Sequence, residues 1–180
     1  MLTAHDVADF FLSPVDTEEG EQISNLKLQK LLYYAQGYAL AILGRPLFAD
    51  KIENWQHGPV VCNVYHDYKQ HGSGMLPAAH IELDKYQEDE LSILNRVRSE
   101  QGRYTAWALR DKTHQEAPWV STRRGEEIGI DILKDYFRQV LRPSGFNFDL
   151  DRMKEAVEGE FTHVPNFETE EELLAWLERR

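Results

Sequence analysis

Seven histidines and a single cysteine are the side chains of this 180-residue sequence best suited to acid–base, nucleophilic or metal chemistry. The most suggestive setting is Thr113-His-Gln-Glu-Ala-Pro-Trp119, where His114 and Glu116 stand two residues apart. An imidazole and a carboxylate held together can exchange a proton with a substrate or share a divalent metal. With His57 as a third group they would suit a small metal-dependent hydrolase. The spacing argues otherwise, because two-apart residues do not share a helix face and no His-Glu-x-x-His is present. His66 and His71, five apart, would point about 140° away from each other around a helix. His5, His80 and His163 lie in unrelated contexts, and capping a helix end or bonding to backbone is the plainer role for such residues. Cys62 sits among Val60, Val61 and Val64, an apolar setting that raises a thiol pKa and suits a small buried filler. Gly-x-Ser-x-Gly elbows, phosphate loops and dinucleotide fingerprints are absent. No cofactor and no metal site is expected.

Recognition chemistry is better represented. Trp55 and His57 precede Gly58-Pro59, which marks a rigid turn, and loops on a rigid scaffold often carry binding residues. Trp55 has an equally good reading as a core plug. In the segment Ile23-Ser-Asn-Leu-Lys-Leu-Gln-Lys-Leu-Leu-Tyr-Tyr-Ala-Gln-Gly-Tyr38, the residues Lys30, Tyr33 and Gln36 fall off the apolar Leu28/Leu31/Ala35 stripe. They are expected to line an exposed polar-aromatic helix face, for which an ordinary solvated flank is the bland alternative. Tyrosine and tryptophan favour binding surfaces, since they bring area at low entropic cost and retain a polar tip. Tyr34 and Tyr38 read as core. Together Lys30, Tyr33, Gln36, Trp55, His57 and Tyr65 form the candidate contact set, with His114 and Glu116 as a buttress to it.

Helices must position these residues. Thr3 caps a short amphipathic helix through Val7, Phe10 and Phe11 that ends near Ser13-Pro14. Ser24 or Asn25 opens a long helix with Leu28, Leu31, Leu32, Ala35, Tyr38, Ala39 and Ile42 on one buried face, stopped by Gly44. Residues 45–54 suit a short hairpin or an extended link. Pro59 is placed to begin a third helix carrying Val60, Val61, Val64, Tyr65 and Tyr68, ending at Gly72. Further helical patterns cover Glu88 to Arg98, Tyr104 to Leu109 and, beyond a break at Pro118, Ile128 to Leu141. Two short helices follow in the tail, the last with a Thr169/Glu172 capping box. The expected architecture is mainly α: a compact single-domain fold of about six to eight helices, with room for a short β-hairpin between the second and third. Residues 1–142 would form this domain and 143–180 an acidic helical extension packed on or beside it.

Composition narrows the partners. The chain is 42% hydrophobic and 11% aromatic, as in ordinary globular proteins. Its net charge of −11 is concentrated at the ends, so the middle is nearly neutral. Nucleic-acid binding, which needs clustered Lys and Arg, is therefore not expected. The longest uncharged run, Leu31 to Gly44, is too short to cross a bilayer. Residues 1–12 hold no Lys or Arg and lack a secretory n-region. One cysteine allows no intrachain disulfide, and a reducing cytoplasm fits.

The blocks Asn25-Leu-Lys-Leu-Gln-Lys-Leu-Leu-Tyr-Tyr-Ala-Gln-Gly37, Pro46-Leu-Phe48, Glu53 with Trp55, Gly58-Pro-Val60, Val64-Tyr65 and Thr113-His-Gln-Glu-Ala-Pro-Trp119 occur in one order over roughly residues 1–140. In that order and spacing they resemble the Panacea, or SocA-like, antitoxin family of prokaryotes and phages. The resemblance implies a mostly helical antitoxin of a type II toxin–antitoxin system that neutralises a cognate protein toxin, usually encoded next door, by binding it. It implies no enzyme activity and no cofactor. One family member also delivers its toxin to an ATP-dependent protease, which makes a protease adaptor the alternative. Cys62-Asn63 and Asn54 depart from the commoner Pro-acidic pair and Ala of relatives, on the very surface proposed for partner choice.

Overall fold

The computed structural model describes residues 1–14 and 23–141, which lie within one compact unit, Met1–Arg142. The loop expected at 15–22 and the helices expected after Pro143 fall outside the described residues. Helix α1 (Ala4–Leu12) begins as its sequence dictates: the Thr3 hydroxyl accepts from the Asp6 amide while the Asp6 carboxylate accepts from the Thr3 amide. Its inward face buries Val7, Phe10 and Phe11.

Helix α2 (Asn25–Ile42), capped by Ser24, is the axis of the fold. The expected single buried stripe is too narrow a description. From Asn25 to Leu40 every residue except Leu26 is buried, because α1, α4, α5, α7 and the hairpin all pack around this one helix. A helix enclosed on all sides is normally apolar all round. This one carries Asn25, Lys27, Gln29, Lys30 and Gln36 inside, so each must find an internal partner or cost roughly 1–3 kcal/mol.

The hairpin lies between the second and third helices, as expected, but later in the chain than residues 45–54. Strands β1 (Ile52–Trp55) and β2 (Gly58–Val61) pair antiparallel with Ile52 opposite Val61 and Trp55 opposite Gly58. Pro59 therefore lies in a strand, opposite Asn54, instead of opening a helix. The β-branched pair Val60-Val61 suits the pleat, and the helix starts only at Cys62. The other edge of β1 is met by the chain near Glu127, where the Ile128 amide donates to the Ile52 carbonyl at 2.8 Å.

Helices α3 (Cys62–Tyr68), α4 (Glu88–Gln101), α5 (Ala106–Thr113), α6 (Ala117–Ser121) and α7 (Ile130–Val140) are the other α-helices among the described residues. Pro118 does not break the chain here; it sits in the first turn of α6, where its missing N–H costs nothing. Helix α7 presses Leu133 and Phe137 onto α2. The Phe137 ring lies edge-on to Tyr33, Tyr34 and Tyr38, with centroids 5.4, 5.9 and 5.7 Å away. Gly37 makes the seat, since a Cβ there would stand 2.1 Å from the ring.

Candidate functional site

The polar residues of α2 act as internal fasteners. Gln36 accepts from the amides of Leu47 and Phe48 and donates back to the Phe48 carbonyl at 2.8 Å, fixing the link that leads into β1. Gln29 accepts from the Val61 amide at 2.8 Å and donates to Asn25, which donates in turn to the Tyr65 carbonyl. The Lys30 ammonium reaches through the helix packing to the Pro59 carbonyl at 2.7 Å. Burial, with the Arg110 guanidinium nearby, lowers Lys30 from the ordinary lysine range to about 7. Gly58 is doubly required at this point. Its φ of +99° suits glycine, and a Cβ would lie 2.6 Å from Lys30 Cε and 2.8 Å from Thr113 Oγ1.

Tyr33 and Tyr34 both donate to Glu116, one to each carboxylate oxygen, at 2.8 Å. Tyr136 from α7 faces the same carboxylate. Burial raises the Glu116 pKa while the phenol hydrogen bonds oppose the rise. The same desolvation, reinforced by the neighbouring carboxylate, pushes both tyrosines well above the usual phenol range.

These contacts correct one sequence expectation directly. Lys30, Tyr33 and Gln36 do not line an exposed face; all three are buried. Position on the helix relative to the Leu stripe could not reveal this, because α2 has no solvent side over that length. Glu116 is buried as well, and its oxygens are committed to phenols. His114 lies flat against Trp119, with ring centroids 3.9 Å apart, and burial lowers its pKa. Among the described residues no three His, Cys, Asp or Glu side chains cluster as metal ligands. Cys62 is raised to about 11 by burial and by its hydrogen bond to Glu53, which keeps it a thiol at neutral pH.

The remaining expected residues do come together, around a cavity of about 660 Å³ between the hairpin, the start of α2, α3 and α5. Trp55 is half-buried and settles between the two readings it had: its ring packs edge-on to Tyr65 at 4.9 Å while its indole N–H donates to Glu53 at 2.9 Å. His57, exposed on the hairpin turn, stands edge-on to Trp107 at 6.0 Å. The Trp119 indole donates to the Trp55 carbonyl and links the His114 block to the hairpin. Lys30 and Gln29 underlie the cavity, so α2 supports it from within.

Sequence reasoning missed Trp107, Lys69 and Arg124, all of which line the cavity. Trp107 is 61% exposed, an unusual situation for so large a ring. The signal was available. Trp107 lies two residues before buried Leu109, about 200° around α5, and so on its outer side. Lys69 and Arg124 carried no such signal, since they are separated by 55 positions and meet only in the fold.

The fold and cavity define a mainly α domain threaded by a buried polar helix and opening beside a short hairpin. Residues 28–120 match the family model of the antitoxin SocA-like Panacea domain, and the chain belongs to that family. It is 32% identical over 136 residues to "Antitoxin SocA" of Caulobacter vibrioides (strain NA1000 / CB15N), an alignment covering 64% of this chain and 72% of that protein. No solved structure matches. No described helix is long and apolar enough to cross a membrane.

Proposed function

We propose that this chain is the antitoxin of a type II toxin–antitoxin pair and neutralises a protein toxin, encoded beside it, by direct binding. The observation that carries the placement of the contact surface is the aromatic collar of the cavity, where exposed Trp107 stands over His57, and Trp55 packs on Tyr65. Family membership supports the general role. Interfaces depend on a few aromatic or arginine anchors set in pockets, and this is where the described surface offers them. Of the expected contact set, Trp55, His57 and Tyr65 stay as contacts, joined by Trp107. Lys30, Tyr33, Gln36, His114 and Glu116 serve as positioning residues that hold the hairpin and α6 in place.

The test is co-expression with the adjacent open reading frame. Growth arrest by that product alone, relieved by this chain and recovered as a complex on purification, is the expected result. Trp107→Ala should remain folded and lose rescue. A neighbour that is never toxic, or full rescue by a Trp55→Ala/Trp107→Ala double variant, overturns the role in the first case and the surface in the second.

A further inference from the structure

The chain carries a net charge of −11, yet among the described residues no aspartate or glutamate lines the cavity beside the hairpin. Its ionisable lining residues are Lys30, His57, Tyr65, Lys69 and Arg124. Lys69 and Arg124, both exposed, enter no ion pair among the described residues; Arg124 is held only by a 3.0 Å hydrogen bond to the Gln56 side chain. Lys30, buried beneath the cavity, likewise has a carbonyl and no carboxylate as its partner. Elsewhere the described surface pairs its cations readily, as in Arg45 with Asp89 and Glu90, Lys51 with Glu127, and Arg96 with Glu100. The cavity is thus a local positive region on an acidic protein, walled by Trp55, Tyr65 and Trp107.

We infer that this cavity receives an acidic segment of the partner protein, with Asp or Glu side chains placed against Lys69 and Arg124 and its backbone laid along the indole rings. The inference rests on the binding reading above and names the chemistry of its contact. Charge complementarity selects the occupant. A basic segment would meet the exposed cations Lys69 and Arg124, neither ion-paired among the described residues, whereas an acidic one gains attraction here. The aromatic walls favour a peptide over a small inorganic anion, since they offer contact area that phosphate cannot use. Arginine supplies a planar fork suited to a carboxylate, and Lys69 a second, exposed positive charge on the same cavity. Among the groups facing Lys30, Arg110 from α5 and His114 at its C-terminus also carry or can carry positive charge, and His57 lies on the hairpin turn above.

The test uses the full chain and two synthetic peptides of about ten residues, one alternating Glu with Gly and the other Gln with Gly, with inorganic phosphate as a third probe. Each is titrated while the indole N–H resonances of Trp55 and Trp107 are followed by NMR. The Glu peptide should shift both resonances, the Gln peptide and phosphate should not, and Lys69→Glu/Arg124→Glu, at two exposed positions that leave the core intact, should weaken the Glu peptide at least tenfold. Equal shifts by both peptides, a response to phosphate alone, no response to any probe, or an undiminished response in the double variant each overturns the inference. The same double variant separates this from the broader reading. If it binds and neutralises the toxin undiminished while Trp107→Ala does not, the antitoxin surface stands and its acidic occupant is wrong.

Discussion

The Lys30 side-chain nitrogen donates to the carbonyl oxygen of Pro59 at 2.7 Å, tying the middle of the central helix to the second strand of the hairpin with no carboxylate as its partner among the described residues. An isolated buried cation is costly unless it loses its proton, and the pKa of about 7 expresses that cost. Folding therefore favours the neutral amine. Between about pH 7 and the ordinary lysine value of 10.5 the unfolded chain binds more protons at this residue than the folded one, so stability rises with pH across that window. The melting temperature of the wild type relative to Lys30→Met should increase from pH 6 to pH 9, as read by circular dichroism. A difference that stays constant, or that falls, would show that Lys30 is charged in the folded state at neutral pH.

Glu116 gathers the hydroxyls of Tyr33 and Tyr34, and Glu116→Ala strands both donors in a buried place. A loss of about 3 kcal/mol is expected from orphaning two buried hydroxyls. Glu116→Gln keeps an acceptor and lets a phenol turn to accept, so it should cost within about 1 kcal/mol. Urea unfolding of both variants decides the matter; equal losses would mean that the charge, not the hydrogen bonding, is what the tyrosines require.

Gly37 and Phe137 are a matched pair. Gly37→Ala would push a methyl group to 2.1 Å from the Phe137 ring, and overpacking of this kind costs about 1–3 kcal/mol despite alanine's better helix propensity. Phe137→Leu should recover part of that loss in the double variant. Additive losses in the double-mutant cycle would contradict the contact.

Trp107 tests whether exposure here serves binding. Trp107→Ala should change unfolding free energy by no more than about 0.5 kcal/mol, the usual range for surface positions. Affinity for the toxin should fall by about 2 kcal/mol or more, as at interface anchors. Calorimetry on the purified complex reads the second quantity. A variant that unfolds more easily and binds normally would place Trp107 in the scaffold.

The sequence by itself determined the helical periods, the Thr3 cap and the family, because these depend on neighbours within a few residues or on ordered blocks; it left a hairpin or an extended link open between the second and third helices, and Ser24 or Asn25 as the cap of the second. It also identified Trp55, His57 and Tyr65 together. Only the tertiary structure decided that Lys30, Tyr33, Gln36 and Glu116 are inside. Whether a polar residue is solvated depends on how many elements surround its helix, and α2 is covered by α1, α3, α4, α5, α7 and β2, which no pattern along its own eighteen residues can express. Strand β2 was read as helix because Gly58-Pro59 suits a helix start, while what selects the strand is its pairing with residues 52–55 and the Gln29 side chain on Val61. The positive lining of the cavity was equally out of reach, since Lys69 and Arg124 come from two separate stretches of chain and become neighbours only when the core closes.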